Sequence, residues 1–257
     1  MTTTWVVIPA FDEARSIAAV VTAVCAQPVD GIIVVDDGSR DGTDDIVRGL
    51  AHSAEPVMLR LIPHETNLGK GQALANGIDQ ALYERAARII TLDADGQHDP
   101  TDIPRLIAVA EANPASLIIA ARTEARERAP ALRRFANEVA DFWVSWACGR
   151  RITDTQSGFR LYPAALLASL STHPRQGQGF AYETALLIDM VNAGAEVRSV
   201  PIETRYIDGA RPSHYRPWRD TWSIIRLVGG RLLRRGMYPR GLLRVMAQPV
   251  GIIDDAR

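Results

Sequence analysis

The chain has 257 residues, 47% hydrophobic and 23% charged, with a formal net charge of −1, which is the make-up of a globular protein with a large core. That balance gives no global electrostatic case for nucleic acid as a partner, and two cysteines, Cys25 and Cys148, exclude a disulfide-dense scaffold and fit a reducing compartment. Every 18-residue stretch carries charge and no basic segment precedes the first apolar run, so neither a transmembrane helix nor a secretory signal is expected.

Residues 5–8 are a continuous apolar run closed by Pro9, which reads as a buried strand. Asp12 is expected to cap a helix whose apolar positions Ile17, Val20, Val21 and Val24 recur at i, i+3, i+4 and i+7. Residues 31–35 make a second buried strand, running into Asp36-Asp37-Gly38-Ser39. Asp41 and Thr43 open a short helix through Ile46, Val47 and Leu50, and residues 57–62 read as a third strand. Asn67-Leu68-Gly69-Lys70-Gly71 is a glycine-rich turn before a helix with Leu74, Ile78, Ala81 and Leu82 on one face. It is not a P-loop, which needs a glycine where His64 stands and Ser or Thr where Gly71 stands.

A fourth strand, residues 89–92, ends in Asp93-Ala94-Asp95 and is broken by Gly96. Two carboxylates two residues apart at a strand end can turn toward one point. Such hard oxygen ligands suit Mg²⁺ or Mn²⁺ carrying a substrate diphosphate, with Gln97 or His98 as a further ligand. Ile103, Leu106, Ile107 and Ala110 mark another helix, and residues 117–120 a fifth strand leading to Arg122. Five strands alternating with helices predict an α/β fold, a doubly wound, mostly parallel sheet with helices on both faces. Ligands bind such sheets outside the carboxyl ends of the strands. Glu13, Asp36, Asp37, Asp93 and Asp95 all fall there, and five acids converging on one edge would repel unless a cation or sugar hydroxyls offset them. No G-x-G-x-x-G follows the first strand, which counts against a dinucleotide-dependent oxidoreductase.

After Arg122 the pattern changes. Leu132, Phe135, Val139, Phe142, Trp143 and Trp146 form a helical apolar stripe, expected to be core. Residues 154–160 are a polar loop, residues 180–191 a helix bearing Glu183, and residues 197–206 extended chain. The segment 216–244 holds eight arginines and one acid, Asp220, interleaved with tryptophans and aliphatic residues. Trp218, Trp222, Ile225 and Leu232 fall near one helical face, Arg219, Arg226, Arg231, Arg234 and Arg235 flank them, and Gly229-Gly230 weakens the middle. A basic amphipathic helix of this kind suits the headgroup layer of an anionic membrane. No linker is visible, so the expected organisation is a catalytic domain over residues 1–215 with a basic C-terminal extension over 216–257.

Val7-Ile8-Pro9-Ala10-Phe11-Asp12-Glu13, Val34-Val35-Asp36-Asp37-Gly38-Ser39, Asn67-Leu68-Gly69-Lys70-Gly71 and Asp93-Ala94-Asp95-Gly96-Gln97 together resemble the family 2 glycosyltransferases, over roughly residues 5–215. Each motif alone is weak; four in the family's order and spacing are specific. Ser157-Gly158-Phe159-Arg160-Leu161-Tyr162 and Ser213-His214-Tyr215 with the following Arg216-Pro217-Trp218-Arg219-Asp220 are similar to the polyprenyl-phosphate branch, of which dolichyl-phosphate mannose synthases are typical. The resemblance implies a GT-A type fold, a divalent metal, and inverting transfer of a hexose from a nucleotide-diphosphate sugar, GDP-mannose first and a UDP-sugar second, to a polyprenyl phosphate. Carried over by position, Pro9, Phe11, Glu13, Asp37, Asp93, Ala94, Arg205 and His214 would contact the donor. Asp93, Asp95 and Gln97 would surround the metal, and Arg122, Arg133 and Arg134 would hold the acceptor phosphate.

Asp95 and Glu183 are the expected catalytic residues, Glu183 being a base, an acceptor-site contact or a helix-surface acid. Asp154 is expected to cap or order the acceptor loop. The sequence departs from the family in Asp12, where Asn is usual, in His214, where the branch has Lys, and in lacking the membrane helices that often follow the catalytic domain. The expected setting is peripheral, on the cytoplasmic face of a membrane, with a homo-oligomer open. The alternatives are transfer to another lipid or small alcohol and, more remotely, a sugar nucleotidyltransferase or a silent nucleotide-sugar binding module. The nucleotidyltransferase needs a glycine-rich loop after the first strand, where this chain has Pro9-Ala10-Phe11-Asp12-Glu13, and the intact pair Asp93 and Asp95 counts against silence.

Overall fold

The continuous apolar runs become strands buried on both faces. The computed structural model describes residues 2–51, 53–123, 126, 130–170, 181–203 and 217–248. These hold one seven-stranded sheet: β1 (Thr4–Ala10), β2 (Gly31–Asp36), β3 (Met58–Pro63), β4 (Arg88–Thr91), β5 (Ser116–Ala121), β6 (Arg160–Pro163) and β7 (Glu196–Pro201). The spatial order is β3-β2-β1-β4-β6-β5-β7. All pairs are parallel except those of β6, which runs antiparallel to both β4 and β5.

The helices are α1 (Ile17–Cys25), α2 (Thr43–Gly49), α3 (Lys70–Tyr83), α4 (Ile103–Ala112), α5 (Ala131–Cys148), α6 (Ala164–Ser169), α7 (Ala181–Asn192), α8 (Pro217–Arg234) and α9 (Pro239–Ala247). Because successive strand side chains point to opposite faces, β1 feeds two cores. Val7 joins Ile33, Val35, Leu74 and Ile78 under α3, with α5, α7 and α8 on the same side. Val6 and Ile8 join Ile32, Val34, Ile17 and Val21 on the side of α1, α2 and α4. The chain runs outward from β1 to β3, then returns to place β4 on the other flank of β1. Strand order reverses there, so the loops after β1 and β4 bound the crevice where such sheets bind ligands.

Four expectations need correction. Asp12 does not cap α1: Ser16 precedes the first helical turn, and Asp12 sits at φ 55 with Oδ1 accepting the Arg40 N–H. A short polar residue tolerates that left-handed conformation, and the bond fastens the loop after β1 to the loop after β2. Second, the polar loop before Leu161 ends in β6, a four-residue strand too short to leave a periodic signal.

Third, the stripe on α5 is not core. Leu132 is 81% exposed and Phe135 64%, and Val139, Phe142 and Trp143 are also exposed. The buried part is the last turns, Val144, Trp146, Ala147 and Cys148, which α7, α8 and α9 cover. Fourth, α8 divides the face expected of it. Leu232 is 1% exposed and, with Val228, packs into the core, while Trp222 and Ile225 stay exposed. Arg231 forms an ion pair with Asp189 of α7 across that contact, and α8 runs unbroken through Gly229 and Gly230.

Candidate active site

The loop after β4 brings Asp93 and Asp95 to the crevice. The Gln97 N–H donates to Asp95 Oδ1 at 2.9 Å, which fixes the turn. Thr91 Oγ1 donates to the Gly158 carbonyl at 2.7 Å and holds the loop before β6 against β4. A Cβ at Gly158 would stand 2.9 Å from Asp93 Oδ2 and 3.0 Å from Glu183 Oε1. Glycine is therefore what lets these two carboxylates approach from β4 and α7. Glu183 is buried in the first turn of α7, so it is not a helix-surface acid, and its Oε1 has no hydrogen-bond partner.

Lys70 completes this group. Its Nζ lies 2.7 Å from Asp93 Oδ1 and 3.2 Å from Glu183 Oε2. Burial alone would raise the Asp93 carboxyl, but the charge and hydrogen bond of Lys70, together with the other neighbouring groups, outweigh it and the net direction is down. Asp95 moves the other way, pushed up by burial and by the neighbouring Asp93 charge. Burial would lower the Lys70 ammonium, yet Asp93 and Glu183 hold it above the ordinary lysine range. His98 is buried against Phe159, with ring centroids 5.5 Å apart and Nδ1 unpartnered. Burial drives its pKa down to about 4, so it carries no charge at neutral pH.

No group of three or more His, Cys, Asp or Glu side chains among the described residues is arranged to hold a metal. Asp93 and Asp95 nevertheless fit Mg²⁺ or Mn²⁺, because such ions are held by one or two carboxylates plus water and substrate phosphate oxygens. After burial, the Asp93 charge is the second cause of the upward push on Asp95, and a divalent cation would relieve that part of it.

The expected convergence of five acids resolves into two groups. Besides each other, Asp93 and Asp95 feel the cations Lys70 and Arg122. Asp37 lies in a separate network: Oδ1 accepts the Leu68 N–H and His64 Nδ1, both at 2.8 Å, and Oδ2 accepts the Gly69 N–H at 2.8 Å. A carboxylate has about four acceptor sites, and three of those on this buried one are filled. Asn76 binds the other nitrogen of His64 at 2.9 Å, so β2, the glycine turn and α3 are tied together. Asp36 is buried, with Oδ1 unpartnered. Glu13 accepts from Ser16 Oγ at 2.9 Å, Pro9 and Ala94 are buried, and Phe11 is half-buried at the mouth of β1.

On the other flank Arg122 meets Asp154 as a fork. Nε, Nη2 and the backbone N–H of Arg122 each donate to the Asp154 carboxylate at 2.9 Å. Asp154, at φ 52 and 1% exposed, is thus an anchor for this arginine. Burial would raise its carboxyl, but the Arg122 hydrogen bonds win and the net direction is down. Arg126 binds Asp141 at 2.7 Å and approaches Asp154 at 3.5 Å, while Thr155 donates twice to Asp141. Arg134 is exposed on α5. The Arg133 side chain, Arg205 and His214 lie outside the described residues.

Sequence reasoning missed Lys70, whose signal was its place just after a turn at the carboxyl edge of the sheet. It also missed Arg160, whose guanidinium is buried and donates to the carbonyls of Ser157, Thr155 and Glu183 at 2.7–2.8 Å. That cation locks the loop before β6 to the start of α7, and so sets Glu183 opposite Asp93.

Comparison with known proteins places this geometry. Residues 5–161, more than half of the chain, match Glycosyl transferase family 2. A UDP-N-acetylglucosamine–dolichyl-phosphate N-acetylglucosaminyltransferase of Methanococcus voltae is 31% identical over 79% of this chain and 86% of its own. A polyprenol monophosphomannose synthase of Mycolicibacterium smegmatis is 30% identical over 77% of this chain and 76% of its own. Among solved structures, glucosyl-3-phosphoglycerate synthase of Mycobacterium tuberculosis, in complex with Mn²⁺, uridine diphosphate and phosphoglyceric acid, superposes with a TM-score of 0.64. It is 22% identical and covers 99% of this chain and 80% of that one. The sheet is thus of the GT-A type, and the chain belongs to glycosyl transferase family 2.

Proposed function

We propose that this protein transfers a hexose, with inversion, from a nucleotide-diphosphate sugar to a polyprenyl phosphate, with GDP-mannose the first-choice donor and a UDP-sugar the second. The observation that carries the reading is the acid pair Asp93 and Asp95 at the β1–β4 switch point, with the buried Glu183 opposite. The two relatives described above are named for lipid-phosphate acceptors. Asp93, Asp95 and Gln97 would hold Mg²⁺ or Mn²⁺, which when bound neutralises charge developing on the leaving diphosphate. Pro9, Phe11, Glu13, Asp37 and Ala94 line the donor side, with Arg205 and His214 proposed there from the resemblance.

In the reaction an acceptor phosphate oxygen forms a bond to the anomeric carbon. The bond from that carbon to the diphosphate breaks on the opposite face, and its electron pair leaves with the diphosphate. A phosphate monoester has its second pKa near 6 and is already an anion at neutral pH, so no base need remove a proton. Glu183 then serves as a site contact, through its bond to Lys70. Arg122, held as a fork by Asp154, and Arg133 and Arg134 on α5 orient the acceptor phosphate.

The acceptor's hydrocarbon must be reached from a membrane. No described helix is long and apolar enough to cross one. Exposed Phe135, Val139, Phe142 and Trp143 on α5, with Trp222 and Ile225 on α8, offer apolar and tryptophan-bearing surface. Arg134 on α5 and Arg226 and Arg234 on α8 supply positive charge. Such a surface suits peripheral attachment to an anionic bilayer, proposed here as the cytoplasmic face, at about 1 kcal/mol for each arginine near the headgroups.

The test is transfer of labelled sugar from GDP-mannose, UDP-glucose or UDP-N-acetylglucosamine to polyprenyl phosphate and to polyprenol, side by side. Product only with the phosphate is expected. Equal use of the polyprenol, or transfer only to a water-soluble alcohol, would overturn the acceptor assignment.

A further inference from the structure

Lys70 stands where the proposed metal has to approach. An ammonium 2.7 Å from Asp93 Oδ1 occupies the space in front of that oxygen. Mg²⁺ would need to come within about 2.1 Å of an oxygen of the same carboxylate, and two cations on one carboxylate repel. Lys70 also holds Glu183 Oε2 at 3.2 Å, so one side chain offsets two acids that face each other across Gly158. Glu183 Oε1 is buried and unpartnered, which leaves that carboxylate able to take a further donor.

The backbone beneath Lys70 is fixed while its side chain has reach. Asp37 grips the N–H groups of Leu68 and Gly69, the two residues just before it. Lys70 is the first residue of α3, and the N-terminus of a helix favours an anion. A lysine carries its charge as a point on a flexible four-carbon stem and can exchange partners without moving its backbone.

We infer that Lys70 is an exchangeable counter-ion, resting on the metal and diphosphate reading above. Before the donor arrives it neutralises Asp93 and Glu183. When donor and metal enter together it yields Asp93 to the divalent cation and places its ammonium on a diphosphate oxygen. No bond is made or broken in this step; one ion pair replaces another. The metal by itself must displace Lys70 with no anion to receive it, so metal and nucleotide bind cooperatively and the metal alone binds weakly.

The experiment is Mn²⁺ binding by the full chain, read by electron paramagnetic resonance, without nucleotide and with GDP or UDP. It compares wild type, Lys70→Met and Lys70→Arg. Without nucleotide, Lys70→Met should bind Mn²⁺ more tightly than wild type by about 5- to 150-fold, the usual span of coupling between two sites. Its affinity for the diphosphate in the presence of Mn²⁺ should fall. Lys70→Arg, which keeps the charge, should stay near wild type for Mn²⁺ alone.

Thermal unfolding separates this from a folding defect. Lys70→Met should melt below wild type without metal, and Mn²⁺ should raise its melting temperature by more than it raises that of wild type. Equal affinity of wild type and Lys70→Met for Mn²⁺ alone would overturn the exchange, as would weakening of both ligands in Lys70→Met. If wild type binds no Mn²⁺ even with a nucleotide, the metal reading itself fails, and the exchange with it.

Discussion

Helices α3 and α5 lie on the same side of the sheet and carry apolar stripes of the same period, yet one stripe is buried and the other faces outward. On α3, Leu74, Ile78 and Ala81 are sealed against β1 and β2. Gly77 brings that helix close to the sheet: a Cβ there would come within 2.3 Å of Val7 Cγ1. On α5 only the last turns are covered, by α7, α8 and α9. A 3.6-residue period says that a helix has an apolar face. It does not say what covers the face, which depends on where the helix lies over the sheet. The buried helix presents Lys70 to the acids, and the exposed one presents Phe135 and Trp143 to the surroundings. The donor and acceptor ends of the proposed reaction divide along the same line.

The largest effect expected from breaking this contrast is on the buried side. Leu74→Ala should cost about 2–5 kcal/mol of stability in chemical denaturation, through lost burial and the cavity left behind. Burial on the other face of the sheet, where His98 packs on Phe159, should also set the acid limit. His98 has its pKa pushed down to about 4 by burial, against an ordinary value near 6.5. Between those values the unfolded chain takes up a proton that the folded chain does not, so stability falls as pH drops from about 6.5 toward 4 and is flat in this respect above 6.5. The full loss is about 3 kcal/mol, and His98→Gln should flatten that part of the denaturation profile.

How much of this was legible in the sequence follows from how local each signal is. β1, β2, β4 and β5 were visible as apolar runs, and Asp93 and Asp95 as acids at a strand end, because strand and turn lie next to each other in the chain. Lys70 was not, because its meaning comes from Glu183 on α7, far away in sequence. Arg160 and Asp154 both lie in the polar stretch 154–160, but a buried cation bound to three carbonyls, or an acid that clamps Arg122, is a fact of tertiary contact. β6 escaped because four residues beginning with an arginine carry no period. Asp12 misled because Asp is both a good cap and a good turn residue, and the loop between the first two strands claimed it.

Smaller effects sharpen the contrast. Gly158→Ala would put a methyl within 3.0 Å of Asp93 and Glu183 carboxylate oxygens. Displacing them should lower kcat/KM by about 100-fold, the usual result of a misplacement near 1 Å, with the melting temperature changing far less. Smallest on stability is Phe135→Ala, within about 0.5 kcal/mol of wild type because the side chain is exposed. It should still reduce sedimentation with anionic vesicles at low salt. A large loss of stability there would mean that something covers α5, a second copy of the chain being the first alternative to a bilayer.

The central claim is that Asp93 and Asp95 hold the metal that carries the donor's diphosphate. Calorimetric titration of GDP and UDP into wild type and Asp95→Asn, with Mn²⁺ and then with excess chelator, tests it most directly. Binding should require the metal in wild type and be lost in Asp95→Asn. Equal nucleotide affinity in excess chelator, or an Asp95→Asn protein that binds as wild type does, would contradict the claim.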